Sequence, residues 1–453
     1  MKRACIYVAL TGVLSGCNVY RKLPQVEEVD KSQYGKEYVI ADTATIASLS
    51  WRELFCDIHL QQLIDTAIIR NTDLRIAHLR VEQAEAVWKN ARLPYLPSVG
   101  LTGEGTVSSA DGTTSKSYTL GASASWEIDI FGKTTNAKRG AREALEASKA
   151  YAQAVQTHLV ATVANGYYTL LMLDEQLRIS RETLASWQKT VRVLESLKRR
   201  GGGVTDASVL QANANCMSLE SGILSIEKNI KESENALCTL LATAPISIQR
   251  GRLAEQRSPS ELSVGLPLQL LSNRPDVRVA EHQLAQAFYA TNVARASFYP
   301  SINLSGTLGW TNSAGGIESN PAGWLSNAIG SLVQPIFNRG ANIVNLKIAK
   351  AEQEVALLNF QQSLLNAGAE VNNALTALQT ASRKLNIDNR QVATLQKAVH
   401  KTELLMRHSS VNYLEVLTAQ QTLLNAEQAV AQDRFDEIQS IISLYHALGG
   451  GVK

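Results

Sequence analysis

Few residues in this sequence stand in patterns that could do chemistry, and the clearest is a cysteine near the start. Leu14-Ser15-Gly16-Cys17 follows Lys2, Arg3 and a mostly apolar stretch from Ala4 to Leu14, the layout of a secretory signal and too short to span a bilayer. The tetrapeptide has the form of a bacterial lipobox, in which a small residue ahead of the cysteine admits a signal peptidase and the thiol becomes a lipid thioether. The mature chain is therefore expected to leave the cytoplasm and to begin at lipidated Cys17, with residues 1–16 as signal peptide and 17–56 as the lipidated N-terminal segment. Two or more acyl chains hold a protein stably on a membrane. The plainer alternative is an ordinary signal in which Cys17 is incidental. Cys56, Cys216 and Cys238 remain, an odd set that argues against a disulfide framework. Cys216 and Cys238 stand on one predicted helix, about 33 Å apart along its axis and beyond pairing reach, so they read as core thiols.

Other chemistry finds no residues to carry it. The seven histidines are scattered without ligand spacing, and no Gly-rich phosphate loop follows a strand. H-E-x-x-H and G-x-S-x-G are absent, and Gly201 to Gly203 is a turn between coiled helices. No catalytic residue, cofactor or metal site is expected. The net charge is +3, of which Lys2 and Arg3 carry two, and no basic run suggests nucleic acid.

The elements that hold these residues are of two kinds. Tyr118 to Ile130 alternates strictly, with Tyr118, Leu120, Ala122, Ala124, Trp126, Ile128 and Ile130 on one face and Thr, Gly, Ser, Glu and Asp on the other. Val99, Leu101 and Val107 repeat the pattern, as do Ile302, Leu304, Leu308 and Trp310, while a fourth run near Leu325 to Phe337 is less clean. Two β-hairpins follow, over 97–130 and 300–337, each strand about the ten residues that a tilted strand needs to cross a bilayer. Tyr118, Trp126, Trp310 and Trp324 are the candidate interfacial aromatics. Taken alone, such strands would favour a soluble sandwich, because alternating strands are common in all-β domains. No apolar run is long enough for a transmembrane helix.

The rest reads as very long helix. Leu357, Leu364, Val371, Leu378, Leu385, Val392, Val399 and Met406 recur at every seventh position, a coiled-coil seam. Matching seams run through Val163 to Val191, Val209 to Leu237 and Leu417 to Tyr445, giving two antiparallel hairpins over 133–243 and 339–446 with tips near 201–204 and 408–412. The first helix of each would run about 100 Å. Two further helices, 57–92 and 269–296, are expected to stack end to end on the shorter return helices, with 244–267 as an equatorial segment and 447–453 as a tail. The chain is also duplicated: Asn90 to Ser98 matches Val293 to Ser301 at an offset of 203, and Ile130-Phe131 matches Ile336-Phe337.

Four strands cannot close a barrel, and an open edge in lipid leaves backbone groups unpaired. Two copies would give eight strands around a filled interior, whereas three give twelve around a lumen, which the small inward Ser, Thr and Gly residues favour. The expected fold is mainly α with a β-barrel part: long coiled-coil hairpins forming an α-barrel, plus four strands per subunit of a trimeric twelve-stranded barrel.

Trp126-Glu127-Ile128-Asp129-Ile130-Phe131-Gly132, Arg274-Pro275-Asp276-Val277-Arg278, Phe298-Tyr299-Pro300-Ser301, Pro335-Ile336-Phe337-Asn338 and Tyr413-Leu414-Glu415-Val416-Leu417 resemble the TolC family of outer-membrane factors, in its lipoprotein branch that works with RND efflux pumps. The resemblance spans Cys17 to Leu448. It implies a homotrimer among outer-membrane lipids that extends into the periplasm and conducts cargo from a periplasmic adaptor (membrane fusion) protein and an inner-membrane RND transporter. It also implies that the tips dock the adaptor: Arg200, Gly201, Gly202, Gly203 and Val204 in the first, and Ser409, Ser410, Val411, Asn412, Tyr413 and Leu414 in the second. This chain departs from the family in its three tip glycines, in Ser409-Ser410, and in Thr418 where relatives often carry Asp. Asp206 and Glu415 are candidates for a carboxylate gate, although acidic residues one turn into a helix are more often simple first-turn charges favoured by the helix dipole. Arg274-Pro275-Asp276 reads as a helix start and packing motif. The competing functions are a type I protein secretion duct and a periplasm-spanning structural lipoprotein; the strands speak against the second. Cargo is not legible, although the methionines left after processing, Met172, Met217 and Met406, weaken a metal-export reading.

Overall fold

The computed structural model of the chain describes residues 50–110, 112–201, 204–256, 274–311, 323–407 and 413–451. The expected signal, Cys17 and most of the N-terminal segment lie outside these residues.

Helix starts are set by capping side chains. Ser50 and Glu53 form a reciprocal capping box at α1 (Trp51–Leu54), and Asp57 caps α2 (Ile58–Arg70) through the His59 amide. The sequence predicts one helix over 57–92, but the chain breaks at Asn71, whose extended backbone separates α2 from α3 (Thr72–Asn90). The buried Asn71 side chain explains the break: its Oδ1 accepts from the Leu74 amide (3.0 Å) and its Nδ2 donates to the Leu240 carbonyl (3.0 Å). Beyond a 3₁₀ turn at Leu93–Tyr95 come β1 (Ser98–Ala110) and β2 (Thr113–Ile128). Asp129 then caps α4 (Lys133–Arg199), accepting from the Thr134 and Thr135 amides at 3.0 and 2.7 Å, while Gly132 supplies the positive φ of the turn. The Ile128-Asp129-Ile130-Phe131-Gly132 motif is thus a strand-to-helix corner.

The return helix α5 (Asp206–Leu240) leads to residues 244–256, which carry only a 3₁₀ turn at Leu253–Glu255. This segment is strapped to the helices by Arg250, paired with Asp174 at 2.5 Å and Glu234 at 2.7 Å, and by Tyr167, which donates to Asp57 (2.6 Å) and accepts from the Gly251 amide (3.1 Å). The second half repeats the order with α6 (Pro275–Ala296), β3 (Ser301–Thr311), β4 (Gly323–Val333), α7 (Ala341–Arg407) and α8 (Tyr413–Ala447). None of the eight seam residues on α7 is fully exposed even in the single chain.

The four strands form one antiparallel sheet in the order β1-β2-β3-β4. Register sorts its faces. Leu120 opposes Trp310, Ala122 opposes Leu308 and Trp126 opposes Leu304, while on the other face Thr119 opposes Thr311, Ser123 opposes Thr307 and Glu127 opposes Asn303. β4 mixes the pattern, because its register puts Ser326 and Ala328 on the apolar face and Ile329 on the polar one.

Two compact units share these elements. One comprises His78–Tyr151 and Asp276–Ser363 and contains the sheet; the other comprises the remaining described residues and buries Leu60, Ile64, Leu74, Tyr167, Leu170 and Ile442. The second unit shows the duplication at atomic detail. Arg274 lies 203 residues after Asn71 and does the same work, its Nη1 donating to the Ala447 carbonyl (2.9 Å) at the end of α8 as Asn71 donates to the end of α5. Each return helix therefore has its last turn capped by a side chain from the residue just before the start of another helix. Arg274 is also paired with Glu370 at 2.6 Å.

Candidate functional site: the helical tips and the sheet

The first tip follows from three local choices. Gly201 takes a φ of 77°, Thr205 caps α5 by accepting from the Ser208 amide (3.2 Å), and Lys198 pairs with Asp206 across the turn. Asp206 is exposed on the first turn, as are Arg200 and Gly201, and Val204 is half-buried. Gly202 and Gly203 lie outside the described residues.

At the second tip, Ser409, Ser410, Val411 and Asn412 also lie outside the described residues. Tyr413 opens α8 and is only 9% exposed. Burial, with the Cys216 thiol of α5 adding to it, pushes its hydroxyl up to about 12. The hydroxyl therefore lies near Cys216 of the first hairpin, and Leu414 and Glu415 are exposed beside it. The two hairpins meet again where Gln428 donates to the Ser180 hydroxyl (3.1 Å). Within hairpins, Arg181 pairs with Glu227 (2.6 Å) and Gln396 donates to Glu427 (3.1 Å).

One ionisable group of the second hairpin had no signal in the sequence. Asp433 on α8 is fully buried, and burial pushes its carboxyl up, with Asp388 of α7 adding to the shift and Lys384 of α7 pulling it back. A buried carboxylate on a coiled-coil helix is legible only once the facing residues are known. The same holds for Arg250, whose two carboxylate partners come from two helices. Cys216 and Cys238 are buried free thiols and Cys56 is exposed. Among the described residues no group of three or more His, Cys, Asp or Glu could hold a metal ion. The arrangement offers a sheet with an apolar aromatic face and a hydroxyl-rich face, and long paired helices.

Comparisons with known proteins agree with this architecture. The family model for outer membrane efflux proteins matches residues 63–243 and again 266–450, one match to each half. The cation efflux system protein CusC of Escherichia coli is 31% identical over 452 residues, covering 99% of this chain and 97% of its own. The probable outer membrane lipoprotein SilC of Salmonella typhimurium is 32% identical over 408 residues, covering 88% of each. The open-state crystal structure of the MtrE outer membrane channel of Neisseria gonorrhoeae superposes with a TM-score of 0.82 at 28% identity, covering 96% of this chain and 97% of that one. With its two matched halves, its four-stranded sheet and its paired long helices, this chain belongs to the outer membrane efflux protein family and is an outer-membrane efflux channel protein.

Proposed function

We propose that three copies of the chain, each anchored through a lipid on Cys17, close into one duct that carries solutes from a periplasmic adaptor and an inner-membrane RND transporter across the outer membrane. The observation that carries this reading is the pair of open edges. In the strand order β1-β2-β3-β4, the outer sides of β1 and β4 have no partner strand among the described residues. The neighbouring helices follow the same order: Arg80 of α3 stacks on Tyr151 of α4, His282 of α6 pairs with Glu143 of α4, and Thr291 of α6 donates to Ala349 of α7. The outer members, α3 and α7, expose Leu79 and Val87 on one edge and Val344 and Leu358 on the other. In the other unit α5 exposes Leu210, Met217 and Leu224, one at every seventh position, an apolar seam of the kind that a partner helix covers. Unpaired strand edges and unfilled seams cost free energy in lipid and in water alike, and joining β1 to β4 of the next copy removes both.

The tips are proposed as the adaptor-docking surface, with Arg200, Gly201 and Leu414 among its exposed groups, and Asp206 and Glu415 as the acidic gate. Oligomer mass in detergent and single-channel conductance in planar bilayers test both parts. A trimer with low basal conductance that rises in Asp206→Ala/Glu415→Ala supports the duct and its gate. Unchanged low conductance would leave Asp206 as a hairpin staple to Lys198 and Glu415 as a dipole charge. A monomer without a pore would sink the duct.

A further inference from the structure

The duplication gives the unit that contains the sheet one groove twice, with different linings. Between α6 and α7 the groove is floored by Ile348, Ala351 and Val355, with Gln283, Glu352 and Asn359 at its sides and no basic residue in its lining. Between α3 and α4 the matching positions, 206 residues earlier, are Arg142, Leu145 and Lys149, and Trp88 and Arg92 close this groove of about 410 Å³ from α3.

The charges of the first groove are unequally matched. Glu85 pairs with Lys89 at 2.9 Å and Glu146 with Lys149 at 3.0 Å. Among the described residues no carboxylate pairs with Arg92 or Arg142. The Arg92 guanidinium instead lies over the Trp88 ring, 3.6 Å from its centroid, and the Lys138 ammonium lies 4.9 Å from the centre of the Tyr95 ring, whose hydroxyl is fixed by Thr135 (2.8 Å). Aromatic faces orient both cations without neutralising them.

Position completes the argument. Trp88 stands in the last turn of α3 and Arg92 two residues beyond the helix, just before β1 begins at Ser98, and Lys138 and Arg142 stand in the first turns of α4, just after β2. Helical side chains lean towards the helix N-terminus, so on α4 they reach back towards the sheet. Tyr and Trp favour the headgroup level of a bilayer, and basic side chains there attract anionic lipid. We propose that Trp88, Arg92, Lys138 and Arg142 form a binding site for the phosphodiester headgroup of an anionic phospholipid in the leaflet facing the periplasm. The proposal rests on the reading of the sheet as the membrane-spanning part of the duct.

The test uses the full-length protein in detergent with equal amounts of phosphatidylglycerol and phosphatidylcholine, bound lipid being counted by native mass spectrometry. Wild type is expected to retain phosphatidylglycerol over phosphatidylcholine by roughly tenfold or more, the scale set by two cations near a lipid surface. Arg92→Gln/Arg142→Gln should abolish this preference and Arg92→Lys/Arg142→Lys should keep part of it. In wild type alone, half-molar salt should erode the preference, and 20 mM inorganic phosphate, at constant ionic strength, should leave it in place. Equal retention of both lipids by wild type, or an undiminished preference in the Gln variant, overturns the proposal; displacement by inorganic phosphate does so in favour of a small soluble anion. Conductance and oligomer mass of the same preparation separate the two levels: a conducting trimer without lipid preference fails the site alone, whereas a monomer without a pore fails the duct reading beneath it.

Discussion

Arg274 and Asn71 show what a single side chain contributes when it sits where two helices meet. Each donates to the last carbonyls of a return helix, groups with no partner inside their own helix. Removing the donor leaves a buried carbonyl unsatisfied, at a cost of about 1–3 kcal/mol. Arg274→Met and Asn71→Ala are therefore each expected to lower the midpoint of thermal unfolding, and together to lower it additively because the two junctions share no residues. Wild-type midpoints in either variant would mean that water replaces the bond. Asp433 makes a prediction of the opposite sign. Its folded pKa lies above its unfolded value because burial disfavours the charge. The native state then binds more protons than the unfolded one, so this group costs stability as pH rises through its folded pKa, and that cost is absent below the ordinary carboxylate value of about 4. Asp433→Asn should stabilise the protein at neutral pH by a margin that shrinks on acidification; a margin constant with pH would show that the shift is not expressed. Asp433 titrates opposite Lys384 and Asp388 of α7. The sequence marked Arg274 as a helix start and packing residue but gave no sign of the carbonyl it caps, of Asn71's role or of Asp433's burial, because a cap and a buried carboxylate are both defined by the residue opposite them.

At the scale of elements, helix and strand periodicity made the fold class legible: seven-residue seams and strict alternation each need many residues to agree, and tertiary packing here follows them. Single-residue features were less visible. Asn71 interrupts a helical pattern that its own sequence surroundings continue, since its preference for the break comes from Leu240. Tyr413, in a segment read as a docking surface, is buried with its hydroxyl near Cys216 of α5, a proximity between hairpins that spacing along one chain cannot reveal. The sheet adds a prediction of its own. Gly121 and Gly309 face each other across β2 and β3, and a Cβ on Gly309 would lie 2.3 Å from the Leu120 carbonyl oxygen. Gly309→Val should therefore separate the strands that join the two repeats and reduce the yield of folded oligomer in outer-membrane fractions, while Gly105→Val, with open space around its Cβ position, should not.

For the whole molecule, the duplication and the two edges belong together. α3 and α7 are the outer helices beside β1 and β4, so Val87→Glu or Leu358→Glu places a charge where the proposed neighbour packs. Either is expected to shift the oligomer towards monomer in cross-linking while the far-ultraviolet circular dichroism stays helical; trimer at wild-type yield would place the subunit contact elsewhere. The open edges also set an order of events in time. In the proposed trimer, a chain whose sheet lacks both outer neighbours cannot finish folding alone, whereas its helices depend on local contacts that form quickly. The helical hairpins should be ready first and the sheet last, at a moment fixed by encounters between copies and not by the chain itself. Synthesis rate then becomes a folding parameter: halving the supply of newly exported chains should lengthen the exposed interval of each one disproportionately, and periplasmic proteases would remove the latecomers before they ever reach lipid.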